Sequence, residues 1–269
     1  MTESTLHLIR LALDRRELSR VGARHHLPSG VDEGYLIHAG LSQLFAHSSD
    51  KAEIPLHSFV VDPQVGHDDS ATLMLLAYSD CDEADLQDRM VSEHRQLVRH
   101  CASRPMPTLQ TGTRAGYRLR ACPIVRTRRP GLGEDAERQG KRRKSRELDA
   151  WLAHRLPEWS AEPPPGESAP FERSGAEWTE RQEVYGAWLA RELERDGAAS
   201  MEEAARMESF QRALVYRRGR GKGHRMTRPD VVLEGMLMVQ DEGSFRTLLR
   251  RGIGRHRAFG FGMLLLRAP

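Results

Sequence analysis

One order of hydrophobic patterns occurs twice along this chain, and it limits the available folds more than any single motif. Thr5 to Leu13 alternates apolar and polar side chains, the period of a half-buried strand. Asp14 to Arg24 reads as a short helical turn, and residues 27–34 (LPSGVDEG) as a loop whose Asp32 can cap the next helix. Gly34 to Ala46 sets Ile37, Leu41, Leu44 and Phe45 on one helical stripe. Residues 57–62 and 71–78 read as strands joined by a turn-rich segment. Glu83 to Val98 is helical in part, and a last strand is expected near 106–110. The order then begins again. Residues 113–125 alternate like a strand, and Trp178, Tyr185, Trp188, Leu189 and Leu193 fall at helical spacing. Residues 209–218 and 231–241 read as a strand pair around a basic tip. Residues 244–252 are helical, with Asp241 or Ser244 as the cap, and an apolar strand closes the unit. Two β-α-β-β-α-β units predict an α+β protein of two tandem ferredoxin-like (RRM-like) βαββαβ domains. Their expected spans are 1–108 and 109–269.

The segment before the final strand, GIGRHRAFGFG at 252–262, carries the most chemical information. Gly252, Gly254, Gly260 and Gly262 permit φ > 0 and close approach of another backbone. Arg255, His256 and Arg257 put positive charge at its middle. A basic glycine-rich loop anchored by a strand suits a phosphate-rich ligand. It does not suit a mononucleotide site. A Walker-type loop needs a following Lys-Ser/Thr and a helix, and a Rossmann loop has its strand before it and its helix after it.

Charge distribution points the same way. The net charge is only +3, yet the sequence pI is about 8.9. Basic runs stand at 126–129 (RTRR), 140–146 (GKRRKSR), 217–225 (RRGRGKGHR) and 248–257 (LLRRGIGRHR). Residues 158–208 are instead rich in Glu and Pro. A single basic run is often just a solvated loop, but four that can converge on one face form the footprint of a nucleic-acid binder. With 39% hydrophobic and 29% charged residues, the composition is that of a soluble globular protein. No apolar stretch approaches the roughly 18 residues of a membrane span, and no signal-peptide pattern opens the chain, so no membrane partner is expected. Cys81, Cys101 and Cys122 form no CxxC pair, which argues against a zinc site or a disulfide framework and fits a reducing cytoplasm. His67, Asp68 and Asp69 are consecutive in a turn and read as a solvated tip, so no metal and no cofactor is expected.

On these residues the chain resembles the CRISPR-associated repeat endoribonucleases, the CasE kind of type I-E systems. The likeness covers nearly the whole length. It rests on PMPTLQTGTRAGYRLRACPIV at 105–125 and on residues 231–266 with the glycine-rich loop, the most specific feature. RELDAWLAHRLPEWSAEPPPGESAP at 146–170 looks like material added relative to shorter relatives. The resemblance implies tandem ferredoxin-like domains that bind the repeat hairpin of precursor CRISPR RNA. It implies a cut at the 3′ base of the stem and retention of the enzyme with other Cascade subunits. The family pattern Tyr-x-x-His-x-x-Leu-x-x-Leu-Phe is matched by Tyr35, His38, Leu41, Leu44 and Phe45, which implies His38 as catalytic with Tyr35 beside it. At i and i+3 the pair shares a helix face bordering the apolar stripe. Where some relatives carry a lysine beyond the histidine, this chain has Ser42 and Gln43. His7, His25 and His26 read as strand or surface residues.

Cutting RNA without a metal needs a base for the 2′-OH, an acid for the 5′-oxygen and charge stabilisation at the phosphate. A histidine that titrates near neutrality and a phenol are compatible with that. Expected RNA contacts are Arg126, Arg128 and Arg129, then Lys141, Arg142, Arg143 and Lys144 as a groove-tracking element. Arg217, Arg218, Arg220 and Lys222 form a hairpin tip, and Arg255, His256 and Arg257 belong to the loop. A non-catalytic RNA-binding subunit would use the same fold and charge. A DNA-binding regulator fits less well, because no helix-turn-helix pattern is present.

Overall fold

The computed structural model describes residues 4–25, 33–45, 54–62, 71–127, 146–159, 175–218 and 223–269. In β1 (His7–Asp14) the alternation of the sequence becomes two faces, with Ile9, Leu11 and Leu13 buried on one of them. β1 lies between β3 (Thr72–Ser79) and β4 (Val98–Pro105), and β2 (Ser58–Val61) flanks β3, giving the order β2-β3-β1-β4. Every pairing is antiparallel, and Leu11 stands opposite Leu75 on one side and Cys101 on the other. This is the strand order of a ferredoxin-like unit. The helices α1 (Arg15–Arg24) and α2 (Glu33–Leu44) cover the Ile9/Leu11/Leu13 face, joined by Leu86 of α3 (Glu83–Arg89). Burying a Leu or Ile side chain here contributes about 1.5–3 kcal/mol.

α1 is a complete helix of 10 residues and not the short turn expected, because Asp14 caps it: the carboxylate accepts from the Arg16 and Glu17 N–H groups at 2.8 and 3.1 Å. α2 lies tight on its neighbours because residue 40 is glycine. A Cβ there would come within 2.8 Å of Leu18.

The second half repeats the order. β5 (Arg114–Ala121) lies between β10 (Gly223–Val239) and β11 (Leu264–Arg267), with β8 (Ala199–Met201) and β9 (Arg206–Arg218) on the far side of β10. β6 (Ile124–Thr127) and β7 (Arg146–Asp149) form a separate antiparallel pair, followed by α4 (Ala150–Trp159). α5 (Gly175–Glu194) and α6 (Glu242–Arg251) complete the unit. Tyr185, Trp188, Leu189 and Leu193 of α5 are buried with Leu119, Val231 and Leu233 of the sheet and Phe245 and Leu248 of α6. Asp241 is the cap of α6, accepting from the Ser244 N–H at 2.8 Å.

The two sheets are joined. Leu8, Val60 and Leu76, on the face of the first sheet away from α2, pack with the core of the second half. The buried Tyr78 hydroxyl donates to the Leu264 carbonyl at 2.8 Å, and Arg250 of α6 pairs with Asp80 at 2.8 Å.

Three strand limits depart from the sequence pattern for physical reasons. The last strand of the first half is Val98–Pro105, not 106–110. As an edge strand it buries only Cys101 fully, so it shows no alternation, and Pro107 lacks the N–H needed to extend it. The strand expected over 113–125 divides at Cys122–Pro123, and β6 leaves the sheet to pair with β7. β10 starts at Gly223 and not at 231, running through Pro229. Before Val231 its one strand neighbour among the described residues is β9, so a proline is tolerated on the other side.

Candidate functional site

Tyr35 and His38 occupy one face of α2, half-buried beside the fully buried Ile37 and Leu41. Both meet Phe259, which comes from the glycine-rich loop of the other half. The rings of Tyr35 and Phe259 stack at 5.6 Å with 25° between planes, and His38 meets Phe259 edge-on at 5.3 Å. His38 Nδ1 is buried with no hydrogen-bond partner among the described residues. Burial holds the His38 imidazole below its usual range, so the neutral ring, able to accept a proton, dominates at neutral pH. Ser42, which stands in the region where some relatives carry a lysine, donates to the His38 carbonyl at 2.7 Å and so serves the helix.

The loop that carries Phe259 is fixed by its glycines. Gly252, Gly254, Gly260 and Gly262 all have positive φ, between 68° and 86°. At Gly262 a Cβ would collide with the Ile253 carbonyl oxygen. The backbone packs that closely because Gly262 O accepts the Ile253 N–H at 2.8 Å, while the Gly262 N–H donates to Arg120 O at 2.8 Å. Ile253 and Phe261 are fully buried and anchor the loop from both ends. Beneath it, Arg120 lies over the Phe261 ring at 4.3 Å and makes two hydrogen bonds to Asp230, at 2.9 and 2.8 Å. Gln211 also donates to Asp230, at 2.8 Å, so this buried carboxylate is well partnered. His256 adopts the left-handed region at φ 60°, a conformation seldom held by a residue with a side chain.

Loop and helix open onto one cleft of 1320 Å³. His38, His57, Phe59, Trp188 and Phe259 line it, with seven arginines among the described residues: Arg126, Arg191, Arg195, Arg250, Arg251, Arg255 and Arg257. Against these, Glu147 and Glu192 are the carboxylates of the lining among the described residues. Glu147 of β7 pairs with Arg255 through one oxygen and with Arg228 at 3.1 Å through the other. Glu192 pairs with Arg195 at 2.5 Å. The arginines therefore outnumber the acids, and the cleft attracts anions.

The sequence-derived residues fall into three groups. Tyr35, His38, Arg126, Arg255, His256, Arg257 and the four glycines converge on or beneath this cleft. Arg217 and Arg218 end β9 at the hairpin, with backbone pairing to His224 and Gly223. Arg128, Arg129, Lys141, Arg142, Arg143, Lys144, Arg220 and Lys222 lie outside the described residues, as do His26, His67, Asp68 and Asp69. His25 is tied to Gln43 of α2 at 2.8 Å. Among the described residues no three His, Cys, Asp or Glu side chains are grouped to hold a metal ion. The three cysteines are free and buried. No helix among the described residues is long and apolar enough to cross a membrane.

Several cleft residues have no sequence signal of their own. Arg191 and Arg195 lie at and just past the end of α5, where basic residues normally complement the helix dipole. His57, just before β2, pairs at 2.9 Å with Asp80, just after β3. Phe259 has the look of loop filler; its place inside a basic, glycine-bounded run is the available hint.

Two ferredoxin-like sheets sharing a cleft, with a glycine-rich loop before the last strand, define a class of tandem-domain folds to which solved structures correspond. CRISPR endoribonuclease Cse3 bound to a 19-nucleotide RNA is 21% identical, covers 98% of this chain and 100% of its own, and has a TM-score of 0.58. Thermus thermophilus Cse3 bound to an RNA representing a pre-cleavage complex is 21% identical over 98% and 99% of the two chains, with a TM-score of 0.56. A CRISPR-associated protein from Thermus thermophilus is 18% identical over 97% and 99%, with a TM-score of 0.52. At these identities the shared property is the fold. The family model described as CRISPR associated protein matches residues 6–268, and the chain belongs to that family. No curated protein matches the sequence.

Proposed function

We propose that this chain is a metal-independent endoribonuclease that processes precursor CRISPR RNA. It grips the repeat hairpin, cuts once at the 3′ base of the stem and stays bound as a subunit of the surveillance complex. The observation that carries this reading is the meeting of Tyr35 and His38 with the glycine-rich loop at one arginine-lined cleft. The fold shared with RNA-bound Cse3 supports it. A likeness to a chain in a CRISPR RNA-guided surveillance complex in its pre-nicking state, 16% identical with a TM-score of 0.50, supports the subunit role.

In this mechanism neutral His38 takes the proton of the 2′-OH. The 2′-oxygen then bonds to phosphorus, the bond from phosphorus to the 5′-oxygen breaks, and the 5′-oxygen leaves, taking a proton from water. The products are a 2′,3′-cyclic phosphate and a 5′-OH. Tyr35 offers a phenolic hydrogen bond to the phosphate, and cleft arginines offset its developing charge. We assign 1–108 to the half that cuts and 109–269 to the half that grips, with the protein working in the cytoplasm.

Labelled repeat RNA incubated with the protein in excess EDTA tests this. The expected outcome is one cut with a cyclic phosphate on the upstream product, and no cut when the 2′-OH at that position alone is replaced by hydrogen. Cleavage of the deoxy substrate, or a strict need for added metal, would overturn the mechanism. Tight binding without any cut would instead identify a non-catalytic RNA-binding subunit.

A further inference from the structure

Phe259 belongs to neither the catalytic pair nor the basic groups assigned to RNA, yet it touches the rings of both. Tyr35 stacks on it at 5.6 Å, His38 meets it edge-on at 5.3 Å, and His256 tilts over it at 6.1 Å. Its backbone is tightly determined. The turn Arg257–Phe259 is bounded by two left-handed residues, His256 at φ 60° and Gly260 at φ 81°. The Phe259 N–H closes the turn on His256 O at 2.8 Å, and a Cβ on Gly260 would sit 3.2 Å from Phe59 of β2. A non-glycine residue held at positive φ costs free energy that the surrounding packing must offset, which is common where a side chain needs one particular aim.

We infer that Phe259 is a positioning residue: the loop of the second half uses its ring to set the orientation of Tyr35 and His38 on the helix of the first. This rests on the reading of those two residues as the catalytic pair. The geometry gives the reason. His38 Nδ1 is buried without a hydrogen-bond partner among the described residues, so none of them fixes the rotation of the imidazole through that nitrogen. Ring contact with Phe259 fixes it instead. A stacked neighbour sets the plane of Tyr35, and an edge-on neighbour restricts χ2 of His38. The same contact excludes water from the imidazole, which agrees with the direction of its titration. Because the same loop carries Arg255 and Arg257, the element that holds phosphate also aims the groups that act on it.

The test compares Phe259→Leu and Phe259→Tyr with the unaltered protein and with His38→Ala. Readouts are the single-turnover cleavage rate, hairpin affinity, the thermal melt and the His38 titration followed by NMR. Phe259→Leu keeps apolar bulk but loses the ring. It should cut about 10–100-fold more slowly, since small misplacement of reacting groups costs this much. Affinity should stay within a few-fold, and the His38 titration should move up toward that of an exposed histidine. Phe259→Tyr retains the ring and should recover most of the rate. Unchanged rate and titration in Phe259→Leu would overturn the proposal. So would a loss of affinity and melting temperature that parallels the loss of rate, because that would make Phe259 a loop-folding residue. If His38→Ala still cuts, the catalytic reading fails. The titration of His38 in Phe259→Leu then still decides whether the ring contact controls its environment.

Discussion

The two halves of the molecule share a strand order and differ in what is attached to it. The first sheet, β2-β3-β1-β4, places a single helix, α2, at the cleft. The second, β11-β5-β10-β8, adds a long hairpin, a separate β6–β7 pair, α4 and the glycine-rich loop. The plain half contributes the rings of His38, His57 and Phe59 to the lining, with Tyr35 beside His38 against Phe259. The elaborated half contributes all seven arginines of the cleft lining among the described residues. On the proposed function a common frame is divided between chemistry and charge, a division that shared topology alone does not dictate.

If that division holds, damage to each half should show in a different measurement. The largest effect is expected from His38→Ala, which should slow cleavage about 10²–10⁴-fold and leave hairpin affinity within a few-fold. Cleavage near the original rate would end the assignment of chemistry to the first half. Next is Gly262→Ala in the second half. A side chain at φ 86°, with its Cβ driven against Ile253 O, adds about 1–3 kcal/mol of backbone strain before any clash is counted. Melting temperature and hairpin affinity should fall together, and a protein that melts unchanged would show that the loop backbone yields. Neutralising Arg255 and Arg257 together should weaken binding with little loss of stability. The slope of log affinity against log salt should flatten by about 0.7–0.9 for each phosphate that is no longer neutralised. An unchanged slope would move the grip to the segments at 126–146 and 217–225.

The smallest expected effect concerns pH. Burial lowers the His38 pKa, so the ring is neutral above that value and protonated below it. As a base, His38 acts only when neutral. The cleavage rate should therefore be flat through neutral pH and fall on acidification, with a midpoint below the roughly 6.5 of a free histidine. A rate that falls as pH rises through neutrality would make His38 the acid instead.

What is legible in the sequence follows from local physics. The strand periodicity of β1 and β3 and the apolar stripe of α5 all reflect burial on one face, and burial is written in residue order. Four glycines in eleven residues predict positive φ, and all four have it. What escapes depends on distance. Glu147 meets Arg255 only because β6 leaves the second sheet after Pro123 and brings β7 to the cleft. Nothing in the order of residues 146–170 signals that one carboxylate there offsets a loop arginine. Phe259 meets α2 across the junction of the halves, which no periodicity encodes. Edge strand β4 falls outside its expected span because one buried Cys101 is too little alternation to read.

The hydrogen bond from Tyr78 to Leu264 joins residues 186 positions apart. It ties the first sheet to β11, the strand that anchors the loop. Contacts of such separation carry a large closure entropy and form late in folding. Tyr78→Phe, which removes the hydroxyl and keeps the ring, should therefore speed unfolding while leaving the refolding rate nearly unchanged. With that outcome, the junction that shapes the cleft forms after the folding barrier, and the lifetime of the cleft follows the rate at which the two sheets separate.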